Sequence, residues 1–298
     1  MIPGCTVHQY ARRLVAIEHP TKSGNAHKRV VVFVGGLGDG LFTVPYVTPM
    51  AEELDNVGWG VVQVLLRDSY LGWGTGSLAK DAQDITKAIS YLYSTVGKES
   101  IVLMGHSTGT QDAMYYLTQQ YKGDNNDLDK RPKLSGVILQ APVSDREGAY
   151  NFDGKMQTEE NVRTATKLIE EGRGDHVLPP DFSGFSSEAP VSAERFVSLT
   201  AVRGGDDFFS SDLTEQDFEK TFGQISTKLL VLYSGKDEFV PKWVDKQKLV
   251  DTWKSIAKSV WSEYGGVVQG ARHAVDEQSD DGAQQDLINR VVNFVKTI

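Results

Sequence analysis

Short apolar runs alternate along the chain with stretches in which apolar residues recur at helical spacing. The short runs are rich in β-branched and aromatic residues and predict buried strands at residues 30–34, 59–66, 101–104, 137–139, 229–233 and, more weakly, 260–268. Helices are predicted between them, at residues 47–57, 77–96, 111–121, 242–257 and 287–295. Residues 5–18 predict one or two antiparallel edge strands. Strands that alternate with helices in this way predict an α/β protein with a mostly parallel, doubly wound sheet.

Length and composition indicate a soluble globular protein with one large domain, residues 1–298. Of its 298 residues, 40% are hydrophobic and 24% are charged, which is ordinary for such proteins. The N-terminal residues lack the basic and apolar regions of a secretory signal, and a single cysteine, Cys5, cannot form an intrachain disulfide. We therefore expect a cytoplasmic protein.

Charge and hydropathy also disfavour two classes of partner. The net charge is −9, whereas phosphate binding needs a basic surface, so we expect no nucleic acid partner. The apolar runs are far too short to span a bilayer, so we expect no membrane partner.

One segment, residues 146–222, differs in charge from the rest of the chain. It carries sixteen acidic and eight basic residues, a net charge of −8, whereas the remaining residues sum to −1. Glycine and proline cluster near its middle, at residues 171–185. Two interpretations stay open at this stage: a solvated insertion whose charges maintain solubility, or a lid inserted into the domain over an active site.

The strongest chemical signal is Gly105-His106-Ser107-Thr108-Gly109, a G-x-S-x-G sequence. It directly follows a predicted strand and precedes a predicted helix, which is the setting of a nucleophile elbow. The glycines remove side chains that would clash with the neighbouring strand and helix, and the helix N-terminus points free N–H groups at an anion formed there. The alternative is a glycine-rich turn with an idle serine. We predict that Ser107 is a nucleophile.

A nucleophilic serine needs a base, and the order of elements points to one histidine. In enzymes with this elbow the partners follow the serine in the order acid, then histidine. His273 lies between the last predicted strand and the last predicted helix, where a loop can bring it over the serine. It is selected from six histidines: His8, His19, His27, His106, His176 and His273.

The acid that orients the histidine is expected at the end of the preceding strand. The strand predicted at residues 229–233 runs into Ser-Gly-Lys-Asp-Glu, which contains Asp237. Glu238 is a rival, and Asp145 is a more distant one. Asp237 could also serve only as a cap of the following helix. We predict Asp237 as the acid of the triad.

A glycine-rich loop at residues 35–40 follows the first core strand and offers an oxyanion hole. In enzymes with this elbow the donors are the N–H after the nucleophile, here Thr108, and an N–H of such a loop, here Leu37. The loop lacks the third glycine or alanine of a dinucleotide fingerprint. The sequence also contains neither a phosphate-binding G-x-x-x-x-G-K-[ST] nor a zinc-binding H-E-x-x-H. We therefore expect no cofactor and no metal site.

Four segments together resemble a known family: FVGGLGDGLFTVPY, LLRDSYLGWGTGSL, MGHSTGTQD and SGKDEFVP. The chain is similar over essentially its whole length to the α/β-hydrolases, and more narrowly to a fungal group once catalogued as a domain of unknown function. That group includes the intracellular siderophore esterases, which cleave ester bonds of fusarinine-type iron chelators. The resemblance implies a triad of Ser107, Asp237 and His273, oxyanion donors at Leu37 and Thr108, and a substrate such as ferric triacetylfusarinine C or fusarinine C.

The expected substrate is a small-molecule ester, with an iron-loaded siderophore as the leading candidate. A bulky chelator would suit an aromatic-lined cleft, for which the candidates are Tyr70, Trp73, Phe239 and Trp243 and, in the insertion, Phe182, Phe185, Phe208 and Phe209. Aromatic residues in an insertion could instead pack its own small core. Two other functions stay open: a carboxylesterase or lipase with a different substrate range, and a non-catalytic binding protein on the same scaffold.

Overall fold

A computed structural model describes residues 4–118 and 131–298. Within them, eight strands form one sheet in the order β1-β2-β4-β3-β5-β6-β7-β8. The strands are β1 (Thr6–Ala11), β2 (Leu14–Glu18), β3 (Arg29–Val34), β4 (Trp59–Val64), β5 (Ser100–His106), β6 (Gly136–Gln140), β7 (Leu229–Ser234) and β8 (Gly266–Val268). β1 pairs antiparallel with β2 and β2 antiparallel with β4, and all other pairs are parallel. The predicted doubly wound sheet with antiparallel edge strands is confirmed.

Helices connect the strands on both faces of the sheet. Those described are α1 (Val47–Asp55), α2 (Leu78–Tyr91), α3 (Gly109–Thr118), α4 (Asp145–Asp153), α5 (Lys155–Glu170), α6 (Ala193–Thr200), α7 (Glu215–Glu219), α8 (Lys246–Ile256) and α9 (Ala283–Val295). α2, α3 and α8 pack with one apolar cluster, and α1 and α9 pack with a second cluster on the opposite face. Among these helices, none has the length and apolarity that a membrane crossing requires.

Some predicted elements differ in extent from those observed. The strand predicted at residues 260–268 is ordered as a strand only at β8, while Trp261 makes an isolated bridge to Leu229. The helix predicted from residue 242 begins at Lys246, because the Asp245 side chain accepts a hydrogen bond from Lys248 N and caps the helix there. The last residues of the helix predicted at 111–121 lie outside the described part of the chain.

Residues 146–222 run from α4 to just beyond α7 and connect β6 to β7. Their first two thirds build a small apolar cluster of their own around α5 and α6, which also contacts Trp73. Their last part joins the main core instead, where Phe222 stacks on Trp253 of α8 with ring centroids 5.1 Å apart. The segment is therefore anchored in the main core at its C-terminal end. Near α6 it is also hydrogen-bonded to the domain, from Ser192 N to the carbonyl of Gly74 and from Arg195 Nε to that of Trp73.

Candidate active site

Ser107 stands in the sharp turn between β5 and α3. Its φ is +54°, a left-handed conformation that non-glycine residues rarely adopt, and its N–H donates to the carbonyl of Gln140 at 3.0 Å. Both flanking glycines are required by packing. A Cβ on Gly105 would lie 2.1 Å from the carbonyl oxygen of Gly109, and one on Gly109 would lie 2.5 Å from that of Val34. The turn therefore has the strain and close approach of a nucleophile elbow.

His273 lies between the serine and the predicted acid. Its Nε2 is 2.7 Å from Ser107 Oγ, and its Nδ1 is 2.7 Å from Asp237 Oδ2. Asp237 is buried, and its other oxygen accepts the N–H of Phe239 at 3.0 Å. Three side chains from the ends of β5, β7 and β8 thus meet in the geometry of a catalytic triad.

The two rival carboxylates occupy different positions. Glu238 Oε2 accepts the backbone N–H of His273 at 3.0 Å, and Glu238 Oε1 accepts from Arg272 at 2.9 Å. Glu238 therefore holds the histidine loop and does not touch the imidazole ring. Asp145 accepts a hydrogen bond from Gln111 Nε2 at 2.5 Å and lines the cleft beside the serine. Of the three carboxylates, Asp237 is the one within hydrogen-bond reach of the ring.

Charge around His273 raises the pKa of its imidazole above the ordinary value of 6.5. Burial by itself lowers this pKa, but the charge and hydrogen bond of Asp237, together with the charge of Glu238, outweigh burial. The neighbouring His106 behaves oppositely, because burial and the charge of His273 lower its pKa to about 4. His106 therefore stays neutral at the pH values at which His273 changes charge.

Replacing Glu238 with glutamine should move the acidic limb of the pH–rate profile to lower pH. A general base must be neutral to accept a proton. When the pH is lowered, a His273 with a raised pKa is therefore protonated, and activity lost, at a higher pH than a histidine of ordinary pKa would give. Removing a negative charge that favours the imidazolium lowers that pKa. The measurement is kcat/KM on a neutral ester from pH 5 to 9. Glu277→Gln, which removes the same charge from an exposed position of the loop that carries His273, is the control. An acidic limb that stays in place or moves upward in the Glu238 variant would contradict this assignment.

The loop at residues 35–40 packs directly against the serine. A Cβ on Gly36 would lie 2.5 Å from Ser107 Cβ and 3.0 Å from its Oγ. The Asp39 side chain holds the loop by accepting the N–H of Gly36 at 2.8 Å and the hydroxyl of Thr43 at 2.8 Å. Within the described residues, no hydrogen bond reaches the backbone N–H of Leu37. The loop therefore holds an unpaired backbone N–H one residue after the glycine that packs against Ser107.

Gly36→Ala should lower kcat by about 10²- to 10³-fold with little change in the unfolding temperature. The added methyl cannot fit against Ser107, so the loop must withdraw and its donor must leave the position where charge develops, a loss comparable to that of one oxyanion-hole donor. The measurements are steady-state kinetics and thermal unfolding.

Gly38→Ala is the matched control, because a Cβ there would meet no atom within 4 Å, although its φ of +79° adds some backbone strain. Equal losses of activity in the two variants would show that the contact with Ser107 is not the cause.

Gln140, which the sequence analysis did not single out, connects the elbow to the histidine loop. It is fully buried at the end of β6. Its Oε1 accepts from Tyr46 Oη at 3.0 Å and contacts His106 Nδ1. Its Nε2 donates to the carbonyl of His273 at 3.2 Å. A polar residue at the carboxyl end of a buried strand is the one sequence signal that could have indicated this role.

The triad opens into a cleft of about 680 Å³, within the usual range for small-molecule sites. Of the aromatic candidates, Trp73, Phe185 and Phe239 line it. The insertion supplies one wall, with Gly148, Phe152, Gly184, Phe185, Ser187 and Glu188. Within residues 4–118 and 131–298, no group of histidine, cysteine and carboxylate side chains is arranged to hold a metal ion.

The other aromatic candidates lie outside the cleft wall. The ring of Tyr70 packs over Gly40, and its hydroxyl accepts the N–H of Leu41 at 3.2 Å, so Tyr70 supports the loop at residues 35–40. Trp243 is 63% exposed and does not line the cleft. The remaining three pack into apolar clusters: Phe182 in that of the insertion, and Phe208 and Phe209 in the main core. Their burial follows from the local cores that these segments must build.

Comparisons with known proteins place the chain among esterases. The model of a family described as "Protein of unknown function (DUF1749)" matches residues 1–296. The chain is 41% identical to a UPF0613 protein of Schizosaccharomyces pombe, over 98% of this chain and 96% of that protein. It is 32% identical to fusarinine C esterase sidJ of Aspergillus fumigatus, over 100% and 96%. The solved structure of siderophore hydrolase EstB from Aspergillus fumigatus matches with a TM-score of 0.85 and 31% identity, over 100% of this chain and 98% of that chain.

Proposed function

The chain belongs to the family described as a protein of unknown function (DUF1749), and for this member with an α/β-hydrolase fold we propose serine esterase activity on a hydroxamate siderophore. The substrate is triacetylfusarinine C or fusarinine C in its iron-loaded form. Full-length similarity to a fusarinine C esterase and to a siderophore hydrolase supports this substrate class.

The observation that carries the esterase activity is the position of His273, 2.7 Å from both Ser107 Oγ and Asp237 Oδ2. His273 Nε2 accepts the serine proton as Ser107 Oγ attacks the ester carbonyl carbon. Asp237 holds Nδ1 protonated, so that Nε2 is free to accept. The N–H groups of Leu37 and Thr108 stabilise the negative charge on the carbonyl oxygen.

Collapse of the tetrahedral intermediate releases the alcohol, which takes the proton from His273, and leaves the acyl group on Ser107. Water then attacks this acyl-enzyme, with His273 again accepting a proton, and the carboxylic acid departs. Opening the ester bonds of the chelator weakens its hold on iron, which is cargo of the substrate and takes no part in the hydrolysis. We place this activity in iron metabolism inside the cell, and the single cysteine of the chain suits a reducing compartment.

Residues 146–222 act in this proposal as a lid insertion within one domain, 1–298. The lid contributes Phe152 and Phe185, whose rings meet edge to face with centroids 6.1 Å apart, to the cleft wall. Hydrogen bonds from Ser192 N to the Gly74 carbonyl and from Arg195 Nε to the Trp73 carbonyl tie this part of the lid to the domain, so the wall keeps a defined position.

Phe185→Ala should reduce kcat/KM on a ferric siderophore by about tenfold or more while leaving a short p-nitrophenyl ester nearly unaffected. A large substrate covers the wall, whereas a small ester reaches only the triad, and removing a buried ring contact costs on the order of 1–3 kcal/mol. Met156→Ala, which removes an 84% exposed apolar side chain of the same insertion, is the control. Equal effects on both substrates would show that Phe185 of the lid makes no specific contact with the siderophore.

The experiment that tests the function is a turnover assay on a panel of esters. The panel holds ferric fusarinine C, ferric triacetylfusarinine C, a long-chain triglyceride and short p-nitrophenyl esters. We expect at least one ferric siderophore to be hydrolysed with a kcat/KM above those of the other esters. Hydrolysis of the p-nitrophenyl esters alone would indicate a carboxylesterase with a different substrate range. A preference for the triglyceride would indicate a lipase. No hydrolysis of any ester would favour a binding protein.

A further inference from the structure

Gln140, the last residue of β6, contacts all three segments that carry the triad. Its backbone carbonyl accepts the N–H of Ser107 at 3.0 Å. Its side-chain Nε2 donates to the carbonyl of His273 and to the hydroxyl of Ser234, both at 3.2 Å, and Ser234 ends β7 shortly before Asp237. Because the side chain is fully buried, water does not compete for these bonds. Gln140 therefore ties the segments of the nucleophile, the base and the acid to one another.

The orientation of the Gln140 amide follows from its partners. The carbonyl of His273 can only accept a hydrogen bond, so it must face the amide nitrogen. The amide oxygen then faces Tyr46 Oη, at 3.0 Å, and Nδ1 of His106. All four hydrogen-bonding positions of the amide are filled, two as donor and two as acceptor. A methionine of similar length would leave these buried polar groups without their partner.

The same amide fixes the position of the proton on His106. The amide oxygen of Gln140 only accepts, so Nδ1 of the His106 ring must carry a hydrogen. Burial first, and then the charge of His273, lower the pKa of His106 to about 4, so the ring is neutral and its Nε2 carries no proton. His106 and Gln140 are register partners at the ends of β5 and β6, which brings their side chains to the same face of the sheet. An uncharged ring thus stands beside that of His273, with centroids 5.1 Å apart.

Backbone conformation also shows that this pair is tightly held. Ser107 and Ala141 directly follow His106 and Gln140, and both have a left-handed φ, of +54° and +49°. Non-glycine residues keep such a conformation only where the surrounding contacts hold them in it. The side chain of Gln140 supplies contacts of this kind, since its bonds reach β7 and the histidine loop. Loss of these bonds should therefore let Ser107 and His273 shift relative to each other.

We propose that Gln140 is a positioning residue of the esterase reaction, which holds Ser107 and His273 at reacting distance and keeps the proton of His106 on Nδ1. It acts through these residues, because it does not itself line the cleft. A neutral His106 matters because His273 becomes an imidazolium when it takes the serine proton, and a second positive charge beside it would disfavour that state. The inference rests on the triad chemistry of the proposed function and does not depend on the identity of the ester.

Gln140→Met removes the amide and keeps a side chain of similar length. We expect kcat on a short p-nitrophenyl ester to fall by about 10²-fold, the loss that a displacement of about 1 Å between reacting groups causes. KM should change little, because the residues of the cleft wall stay in place. The rate at which a fluorophosphonate probe labels Ser107 should fall by a similar factor, since labelling needs the same attack by Oγ.

Gln284→Met is the matched control. Gln284 lies at the start of α9, and its Nε2 donates to the carbonyl of Val275 in the histidine loop at 3.3 Å. This substitution removes an amide that holds the same loop but makes no contact with the elbow. It should leave kcat and the labelling rate close to those of the wild type.

NMR of ¹⁵N-labelled imidazole nitrogens tests the second part of the proposal. The signals of His106 are identified by their absence from His106→Asn. At pH 7 we expect the wild-type ring to carry its proton on Nδ1. In Gln140→Met that nitrogen loses its acceptor, and the proton should move to Nε2, which lies 3.8 Å from Asp39 Oδ2.

Gln140→Glu tests the positioning if Gln140→Met does not fold, because its side chain has the shape of the native one. A protonated carboxyl can donate to the carbonyl of His273, whereas a carboxylate cannot. The kcat of this variant should therefore fall well below that of the wild type at alkaline pH, where the carboxyl is ionised. A wild-type kcat at alkaline pH would overturn the inference.

The outcomes separate this inference from the function on which it rests. Equal losses of kcat in Gln140→Met and Gln284→Met would overturn it, as would a wild-type His106 that carries its proton on Nε2. Hydrolysis of short esters alone, with a kcat that depends on Gln140, refutes the siderophore as substrate and retains the inference. A wild type that the probe labels but that hydrolyses no ester refutes the esterase function, and the labelling rates of the two variants then decide the inference.

Discussion

Ser107→Ala should lower kcat by about 10⁶-fold and abolish covalent labelling by a fluorophosphonate probe. The methyl group cannot form the acyl-enzyme, and only the modest rate enhancement from the oxyanion donors and binding remains. Ser107 Oγ is the hydroxyl that His273 Nε2 contacts, at 2.7 Å. Its removal therefore leaves the imidazole with no nucleophile to activate. The measurements are steady-state turnover of a short ester and gel-based detection of the labelled protein.

The control is a second serine, which we do not expect the probe to label. Ser144 is buried near the cleft, and its hydroxyl is occupied by Ser210 and by the N–H of Glu147 at the start of α4. Ser144→Ala should keep the label. Labelling that persisted in Ser107→Ala would refute the assignment of Ser107 as the nucleophile.

Asp237→Asn should lower kcat by about 10⁴-fold while the protein stays folded. An amide in this position donates rather than accepts toward His273 Nδ1, so the imidazole adopts the wrong tautomer and Nε2 can no longer take the serine proton. The measurements are kcat on an activated ester and the thermal unfolding midpoint.

Glu238→Gln provides the comparison for that loss, because Glu238 contacts only the backbone N–H of His273. It should cost far less in kcat than Asp237→Asn does. Near-normal activity in Asp237→Asn, with a large loss in Glu238→Gln or Asp145→Asn, would reassign the acid.

Local sequence patterns predicted most of the elements that carry this site. Apolar runs bounded by turn residues identified the central strands, since a parallel sheet buries both faces of each strand and leaves a continuous hydrophobic signature. The G-x-S-x-G spacing predicted the elbow for a local reason: a Cβ on Gly105 or on Gly109 would lie 2.5 Å or less from a backbone oxygen. The order of serine, acid and histidine along the chain then indicated Ser107, Asp237 and His273 as one group.

Tertiary structure decided what neighbouring residues in one turn do. Asp237 and Glu238 are adjacent carboxylates with the same local signals, and only their directions in space bring one to the imidazole and the other to a backbone N–H. Gln140 carried no motif, because its hydrogen bonds join residues 34, 94 and 133 positions away in the chain.

The wall of the cleft likewise depended on packing. Periodicity and composition indicate that an aromatic side chain will be buried, but they do not indicate which residues it will pack against. Phe185 and Phe209 belong to the same segment, yet one faces the cleft and the other packs on Trp253 of the main core. The sequence by itself therefore predicted the central strands, the elbow at Ser107 and the order of the candidate triad along the chain. Which of two adjacent carboxylates reaches His273, what supports the histidine loop and the shape of the cleft were decided by contacts between distant segments, which no local pattern encodes.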